Sequence, residues 1–278
     1  MSQWLFTSDL HGQGALYEQV VAFAAAERPE VVLLGGDLGP HANGAPGVQH
    51  QRVFLEGFLV EFARRLREAV PGVELALLFG NDDWAANQDV LERHHGTLWQ
   101  ALHGRAVQLH GHWVAGSSWV PITPFAMKDW ERWEDGLEES PARLHGSLSG
   151  PEGVREFRFD PDRRSPTIAE ALAALAELSP PAATIHVLHS PPRDTACDVI
   201  MTKQHVGSRA TRAYIEQHQP PLVLSGHIHE SPRMSGAWRD TVGGSTVVNP
   251  GQFGSPRLCG VWFDPGSPAT TLRHTVHE

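Results

Sequence analysis

The sequence predicts an α/β fold assembled from parallel β-α-β units, and three observations predict it. Short apolar runs alternate with segments of helical apolar spacing through the first third of the chain. The runs are apolar throughout rather than at every second residue, as strands covered by helices on both faces are. They also stop abruptly at polar residues, as in GGD at Gly35 to Asp37 and GND at Gly80 to Asp82.

Taken in order, Gln3 to Ser8 is the first run and reads as a strand ending at the loop DLHG. Gly12 to Glu27 carries Leu16, Val20, Val21 and Phe23 at helical spacing, and Arg28-Pro29 ends it. Val31 to Leu34 is the second strand, closed by GGDLG, and a glycine- and proline-rich loop spans Pro40 to Gly47. An amphipathic helix follows from Gln51 to Ala69, with Phe54, Leu55, Phe58, Phe62 and Leu66 on one face. Pro71-Gly72 breaks it, and Val73 to Phe79 is the third strand.

Residues 117–166 depart from this alternation. They carry Trp119, Trp130, Trp133, many charges and little periodicity. They are expected to form an irregular insertion over one end of the sheet, either a lid or an ordinary surface excursion. Alternation then resumes with a helix at Ile168 to Leu178, a strand at Thr184 to Leu188 running into HSPP, and a helix at Ser208 to His218. A strand at Leu222 to Ser225 runs into GHIHE, and strands at Thr246 to Val248 and Leu258 to Trp262 flank NPG. With no repeat, linker or low-complexity tract, residues 1–278 are expected to form one domain.

Composition narrows the function. At 278 residues and 41% hydrophobic content, the chain can bury a large core. It has no apolar run long enough to cross a bilayer and no basic-apolar leader, so a soluble cytoplasmic protein without a membrane partner is expected. Cys197 and Cys259 are too few for a disulfide framework and read as reduced, structural thiols. A net charge of −10 argues against general nucleic acid binding, although bound cations can reverse the sign locally.

Chemistry-bearing residues collect behind the strands. Asp9 with His11, Asp37, Asn81 with Asp82 and Asp83, His189, and His227 with His229 each follow one. Parallel strands bring their C-terminal ends to one rim, where open α/β sheets bind ligands. Singly these signals are weak, since a lone GD is usually a turn. His-x-His is stronger, because side chains alternate along an extended segment and both rings fall on one side. Five strand ends that all carry metal-ligand types are hard to obtain from packing demands alone.

In order, DLH, GGDLG, GND, the histidine of LHSPP, and GHIH resemble the motif set of the calcineurin-like metallophosphoesterases, over Asp9 to His229. The resemblance implies a four-layer α/β/β/α sandwich of two mixed sheets carrying a dinuclear metal centre. It implies that Asp9, His11 and His229 hold one ion, that Asn81, His189 and His227 hold the other, and that Asp37 bridges both. It implies a phosphoric ester hydrolase acting on a small phosphoester, through a hydroxide held between the ions. Two divalent ions about 3.5–4 Å apart suit in-line displacement at phosphorus. Their repulsion, roughly 19 kcal/mol at an effective dielectric of about 20, requires an anionic bridge. Mixed imidazole, carboxylate and amide donors favour Mn, Fe or Zn over calcium.

The second half, with VGS, GHIHES and VVNPGQFG, resembles a compact prokaryotic branch related to metallophosphoesterase-domain proteins of animals. That resemblance favours a phosphodiesterase, with cyclic nucleotides as a substrate class, over a phosphomonoesterase. NPG at Asn249 to Gly251 is expected to be a tight structural turn. The competing class is a non-catalytic module of the same fold, but such modules usually lose ligands and here every metal position is filled.

One position departs from the family pattern. Many members read GNH, with a histidine that stabilises the transferring phosphoryl group or protonates the leaving oxygen, where this chain has Asp82. Three readings stay open: Asp82 is the catalytic acid; water, Arg193, Lys128 or a histidine near the insertion serves instead; or Asp82 is only a surface turn residue. A general acid contributes about 10²–10⁴-fold, so a working but slower hydrolase is expected. Asp83 is expected to accept the free ring N–H of a ligand histidine. His186, His94, His95, His103, His110 and His112 read as packing, sheet or surface residues, and Trp130 and Trp133 as packing rather than base-stacking residues.

Overall fold

Parallel pairing begins at the N-terminus of the computed structural model, which describes residues 2–136 and 143–277. β1 (Trp4–Thr7) is followed by α1 (Gly14–Glu27), β2 (Val31–Leu34), α2 (Gly44–Val53), α3 (Val60–Ala69) and β3 (Glu74–Leu77). β1, β2 and β3 lie side by side and parallel, with Trp4 opposite Val31 and Val31 opposite Glu74. The sheet splits its residues by period two. Leu5, Val32, Leu34, Leu75 and Leu77 pack under α1 and α3, against Leu16, Tyr17, Val20, Phe62 and Leu66. Trp4, Phe6, Val31, Leu33 and Ala76 face the other way, into the molecule's centre.

α4 (Gln88–Arg93), β4 (Gln100–Ala101), β5 (Arg105–Leu109) and β6 (His112–Ser117) come next. The 117–166 segment contributes β7 (Val120–Pro121), β8 (Glu131–Arg132), β9 (His145–Gly150) and β10 (Gly153–Arg158). The chain continues through α5 (Ile168–Ala176), β11 (Thr184–Leu188), α6 (Arg209–His218), β12 (Leu222–Leu224) and α7 (Ser231–Ser235). β13 (Arg239–Val242), β14 (Ser245–Val248), β15 (Gly260–Phe263), α8 (Pro268–Thr271) and β16 (Arg273–His274) complete it. One six-stranded sheet runs β16-β15-β1-β2-β3-β4, and the other β13-β14-β12-β11-β6-β5. Both are mixed, because β15 and β16 on one and β13 and β5 on the other pair antiparallel.

Val114, Ile185, Val187, Leu222, Leu224 and Val248 of the second sheet meet Trp4, Phe6 and Leu33 of the first. The second sheet's outer face, Ala115, Leu188, Val223 and Val247, is covered by α5 and α6 through Leu172, Leu175, Tyr214 and Ile215. Helix, sheet, sheet and helix therefore stack as four layers, as the family resemblance implies. Truncating a residue such as Leu33 to alanine removes contacts on both sides of the central layer, at a cost of about 2–5 kcal/mol.

Three local readings are corrected. The Pro40 to Gly47 loop is helical from Gly44, because Pro46 falls in the first turn of α2, where its missing N–H has no partner to lose. α2 and α3 join through a π-helical stretch, Phe54–Leu59, so the expected single helix carries a wider turn. The insertion is not irregular: β9 and β10 form a hairpin whose register runs from Gly150↔Gly153 to His145↔Arg158. Both of its faces are half-exposed, so it lacks the apolar alternation that announces a strand. The part of the insertion at 137–142 lies outside the described residues. Among the described residues, no helix is long and apolar enough to cross a membrane.

Candidate metal centre

The strand ends open onto one cavity of about 620 Å³, lined by Asp37, Asn81, Asp82, His227 and His229. Asp9, His11 and His189 are not among its lining residues and stand behind them. Backbone geometry explains how the side chains reach one another. Asp9, His11, Asp37 and His227 all have left-handed backbones, with φ of 60°, 45°, 51° and 62°. Few non-glycine residues adopt that region, and where they do the strain is held by surrounding contacts. Here the holding bonds are visible: Asp9 N–H donates to Gly36 O (3.0 Å), His11 N–H to Asp37 O (2.8 Å) and His227 N–H to Asp9 Oδ1 (2.9 Å). Glycines supply the clearance. A Cβ on Gly80 would fall on Asp37 Oδ1, and one on Gly226 would fall on Ser8 Oγ and Asp9 Oδ2.

The side chains converge. Asn81 Oδ1 lies 2.5 Å from His227 Nδ1 and 3.2 Å from His189 Nε2, and His189 Nε2 is 3.5 Å from Asp37 Oδ2. Donors held about 2.1 Å from a common ion lie roughly 3.0–3.4 Å apart, so the two His189 spacings suit one, while Asn81 and His227 stand closer, at hydrogen-bond distance. On the other side of Asp37, His11 Nε2 is 3.8 Å from Asp37 Oδ2, and its ring meets His229 edge-on at 5.7 Å between centroids. Ligand atoms of Asp9, Asp37 and His189 lie within 4.8 Å of one another, as do those of His11, His41 and Asp82.

Several of these atoms make no hydrogen bond to any described residue. Asp9 Oδ2, both ring nitrogens of His11 and His229 Nδ1 are buried and unmatched. Each such atom costs about 1–3 kcal/mol, a penalty that cation binding removes. The titration pattern agrees. Burial pushes Asp9 up, reinforced by Asp37 and opposed by His189. Burial also pushes on Asp37, but His189 and His11 outweigh it and hold that carboxyl well below the usual range. His189 is raised to about 9, its burial overcome by Asp37, while burial and the His189 charge lower His227 to about 3. The donor set therefore fits divalent cations.

One expectation about orientation changes. His189 Nδ1 donates to the carbonyl of Gly35 (2.8 Å), and a carbonyl can only accept, so Nε2 is the free nitrogen facing Asn81 and Asp37. Asp83 is therefore not the partner of a ligand histidine. Its carboxylate instead accepts the backbone N–H groups of Leu38 (3.0 Å), Gly39 (2.8 Å) and Gly80 (2.9 Å), tying the Asp37 loop to the Asn81 loop. Burial and the Asp37 charge raise it to about 7 against those three donors.

Asp82 lies at the cavity mouth, its backbone N–H on Asp37 Oδ1 (2.8 Å) and its carboxylate 2.8 Å from Nδ1 of His41. The His41 ring stacks on His11 at 4.0 Å between centroids, 19° from parallel, and its pKa is raised chiefly by the Asp82 hydrogen bond. Sequence reasoning missed His41, which sits in the loop read only for its glycines and prolines. The available signal was its place four residues after Asp37. Gln51, also missed, clamps the same region by donating to Asp82 O (2.6 Å) and Pro40 O (3.1 Å) while accepting from Trp84 N–H (2.8 Å).

The other candidates fall elsewhere. Lys128 is fully enclosed, bonded to Glu131 Oε2 and Thr123 O at 2.7 Å each, and Arg193 pairs at 3.9 Å with Asp194. Neither lines the cavity, so neither reaches a leaving group there. Trp130 packs on Phe79 and donates its indole N–H to Asp83 O (2.7 Å), and Trp133 is buried. His186 faces away, against Tyr214 Oη (2.9 Å), while His95 and His103 accept backbone N–H groups. Asn249 is structural, and its amide donates to Gly226 O (3.2 Å), Ile228 O (2.9 Å) and Cys197 O (3.0 Å), fixing the GHIH loop.

Solved structures share this architecture. One solved chain aligns over 98% of this chain and 98% of its own at TM-score 0.66 and 16% identity. The TT1561 protein of Thermus thermophilus aligns over 98% and 97% at TM-score 0.57 and 21% identity. A dimetal phosphatase from Danio rerio aligns over 94% and 91% at TM-score 0.53 and 12% identity. At these identities the likeness is one of fold. No curated protein matches the chain. The sequence profile of the calcineurin-like phosphoesterases matches residues 4–231, most of the chain and every motif at the rim, and the protein therefore belongs to that family of metal-dependent phosphoesterases.

Proposed function

We propose that the protein hydrolyses phosphodiesters at a dinuclear centre. In this reading Asp9, His11 and His229 hold one divalent ion, Asn81, His189 and His227 hold a second, and Asp37 serves both. Imidazole, carboxylate and amide donors suit Mn, Fe or Zn. The observation that carries the diester reading is the cavity's extent. It runs past the ligand residues to Phe125, Met127, Ile200, Ile228 and Phe253, leaving space on the far side for a second ester arm.

When bound, the ions supply the positive charge that draws a phosphate ester into an acidic chain and polarise water and ester for displacement. The chain's own groups do the positioning. Asp9 Oδ1 is fixed by the His227 N–H, which leaves Oδ2 as its donor atom. His189 is fixed by the Gly35 carbonyl. His41 supplies the imidazole that the GND motif lacks. Asp82 orients it through Nδ1, and Nε2 is then the atom that passes a proton to the leaving oxygen. Asp82 acts through His41, as a positioning residue. A cytoplasmic site of action, where the buried thiols of Cys197 and Cys259 stay reduced, fits this reading.

The test is a panel with Mn supplied: bis(p-nitrophenyl) phosphate, p-nitrophenyl phosphate and cyclic nucleotides. Higher kcat/KM on the diesters is expected. Higher kcat/KM on the monoester would overturn the diester preference, and a protein with neither bound metal nor turnover would be a non-catalytic module.

A further inference from the structure

The cavity has two unlike halves. One is the cluster of carboxylates, imidazoles and Asn81 described above. The other is an apolar wall drawn from four separate segments: Phe125 and Met127 from the 117–166 insertion, Ile200, Ile228, and Phe253. Phe125 is 52% exposed, one of four large hydrophobic residues standing in solvent among the described residues. It does not stand singly, because Met127, Ile200, Ile228 and Phe253 line the same cavity, and a grouped apolar surface of this kind marks ligand-binding grooves. Phe253 presents its ring parallel to His229, 5.4 Å between centroids and 11° from coplanar orientation, so the wall begins directly beside the polar half. Arg143 is the one lysine or arginine among the described lining residues. It bonds the carbonyls of His145 (3.2 Å) and Pro124 (3.0 Å), fixing the segment that carries Phe125.

We infer that this wall is the seat of an aromatic ester arm, so that the preferred substrates are phosphodiesters carrying at least one planar aromatic group. The inference rests on the diester reading above and adds the identity of the retained arm. Two phenyl rings with Met127, Ile200 and Ile228 offer stacking, edge and sulfur contacts to a planar group. A methyl arm has no planar face to offer any of them. Of the polar side chains lining the cavity among the described residues, only Asn43, Arg143 and Glu230 lie outside the cluster already described. The wall therefore selects by shape and apolar contact more than by hydrogen bonding.

The experiment compares two diesters with the same leaving group, bis(p-nitrophenyl) phosphate and methyl p-nitrophenyl phosphate, using Mn-supplied protein. The readout is the ratio of their kcat/KM values in wild type and in Phe125→Ala. Phe125 is half in solvent, so its truncation leaves folding intact, and a matching melting temperature checks this. The ratio is expected to favour the diaryl ester and to fall about tenfold in the variant, chiefly through KM, with partial recovery in Phe125→Tyr. Phenylphosphonate is expected to inhibit wild type more tightly than methylphosphonate, and this margin should shrink in Phe125→Ala. An unchanged ratio together with equal inhibition by the two phosphonates would overturn the aromatic-arm inference and leave the hydrolase reading standing. No turnover of either diester by the metal-loaded protein would overturn the diester reading itself.

Discussion

Asp83 offers the sharpest test of how the rim is held. Its carboxylate is buried and accepts three backbone N–H groups, two from the loop carrying Asp37 and one from the loop carrying Asn81. Replacing it with alanine leaves three donors without an acceptor, each costing about 1–3 kcal/mol. Part of this is offset, because burial and the nearby Asp37 charge already raise Asp83 to about 7, and removing the group relieves that repulsion. A net loss of about 3–5 kcal/mol is expected, or roughly 10 °C in melting temperature for a chain of this size. Asp83→Asn keeps one acceptor oxygen but turns an N–H toward a backbone N–H, so it should fall between alanine and wild type. Thermal denaturation and metal content after gel filtration measure both consequences, and Mn retention should fall in the same order as stability. If Asp83→Ala melts within about 2 °C of wild type and binds Mn equally well, the carboxylate does not hold the two loops together.

Other outcomes follow from the same geometry. His41→Gln should lower kcat by about 10²-fold on diesters with alkyl leaving groups and far less on p-nitrophenyl esters, whose leaving group needs no proton; Asp82→Asn should do the same more weakly. Lys128→Met or Glu131→Leu alone should cost about 3–5 kcal/mol in urea denaturation, because each strands a buried partner, whereas the double variant should lie near wild type. His186, lowered by burial to about 4 from 6.5, contributes stability that is full above about pH 6.5 and is lost as pH falls through about 4. His186→Gln should flatten that acid loss by about 3 kcal/mol in urea midpoints taken across the window. Chelation should lower the melting temperature reversibly; Mn restored at about 1,000 times its Kd should return roughly 4 kcal/mol.

What the sequence revealed, and what it hid, divides along physical lines. Buried parallel strands are apolar at every position, so β1, β2, β3, β11 and β12 are each legible, and so are the polar residues just past their ends. Elements with two half-wet faces are not, which is why the β9–β10 hairpin went unread. The partners of Asp83 are not legible either, because sequence shows that an acid is present but not which way a tight loop turns it. His41 is legible as a histidine near Asp37 but not as the partner of Asp82. Its link to Asp82 spans 41 positions and depends on Gln51 clamping two loops, a contact with no local signature.

The Asn249 carboxamide has a practical corollary for anyone cutting the chain. The family profile ends at residue 231, yet three carbonyls around the GHIH loop are tethered from beyond that boundary, and Phe253 flanks His229 from further on still. β13 and β14, the far edge of the second sheet, also lie past it. An expression fragment trimmed to the profile would lack the clasp on two of its histidines and expose an unpaired strand edge to aggregation, so recombinant work should retain the chain through its last strand.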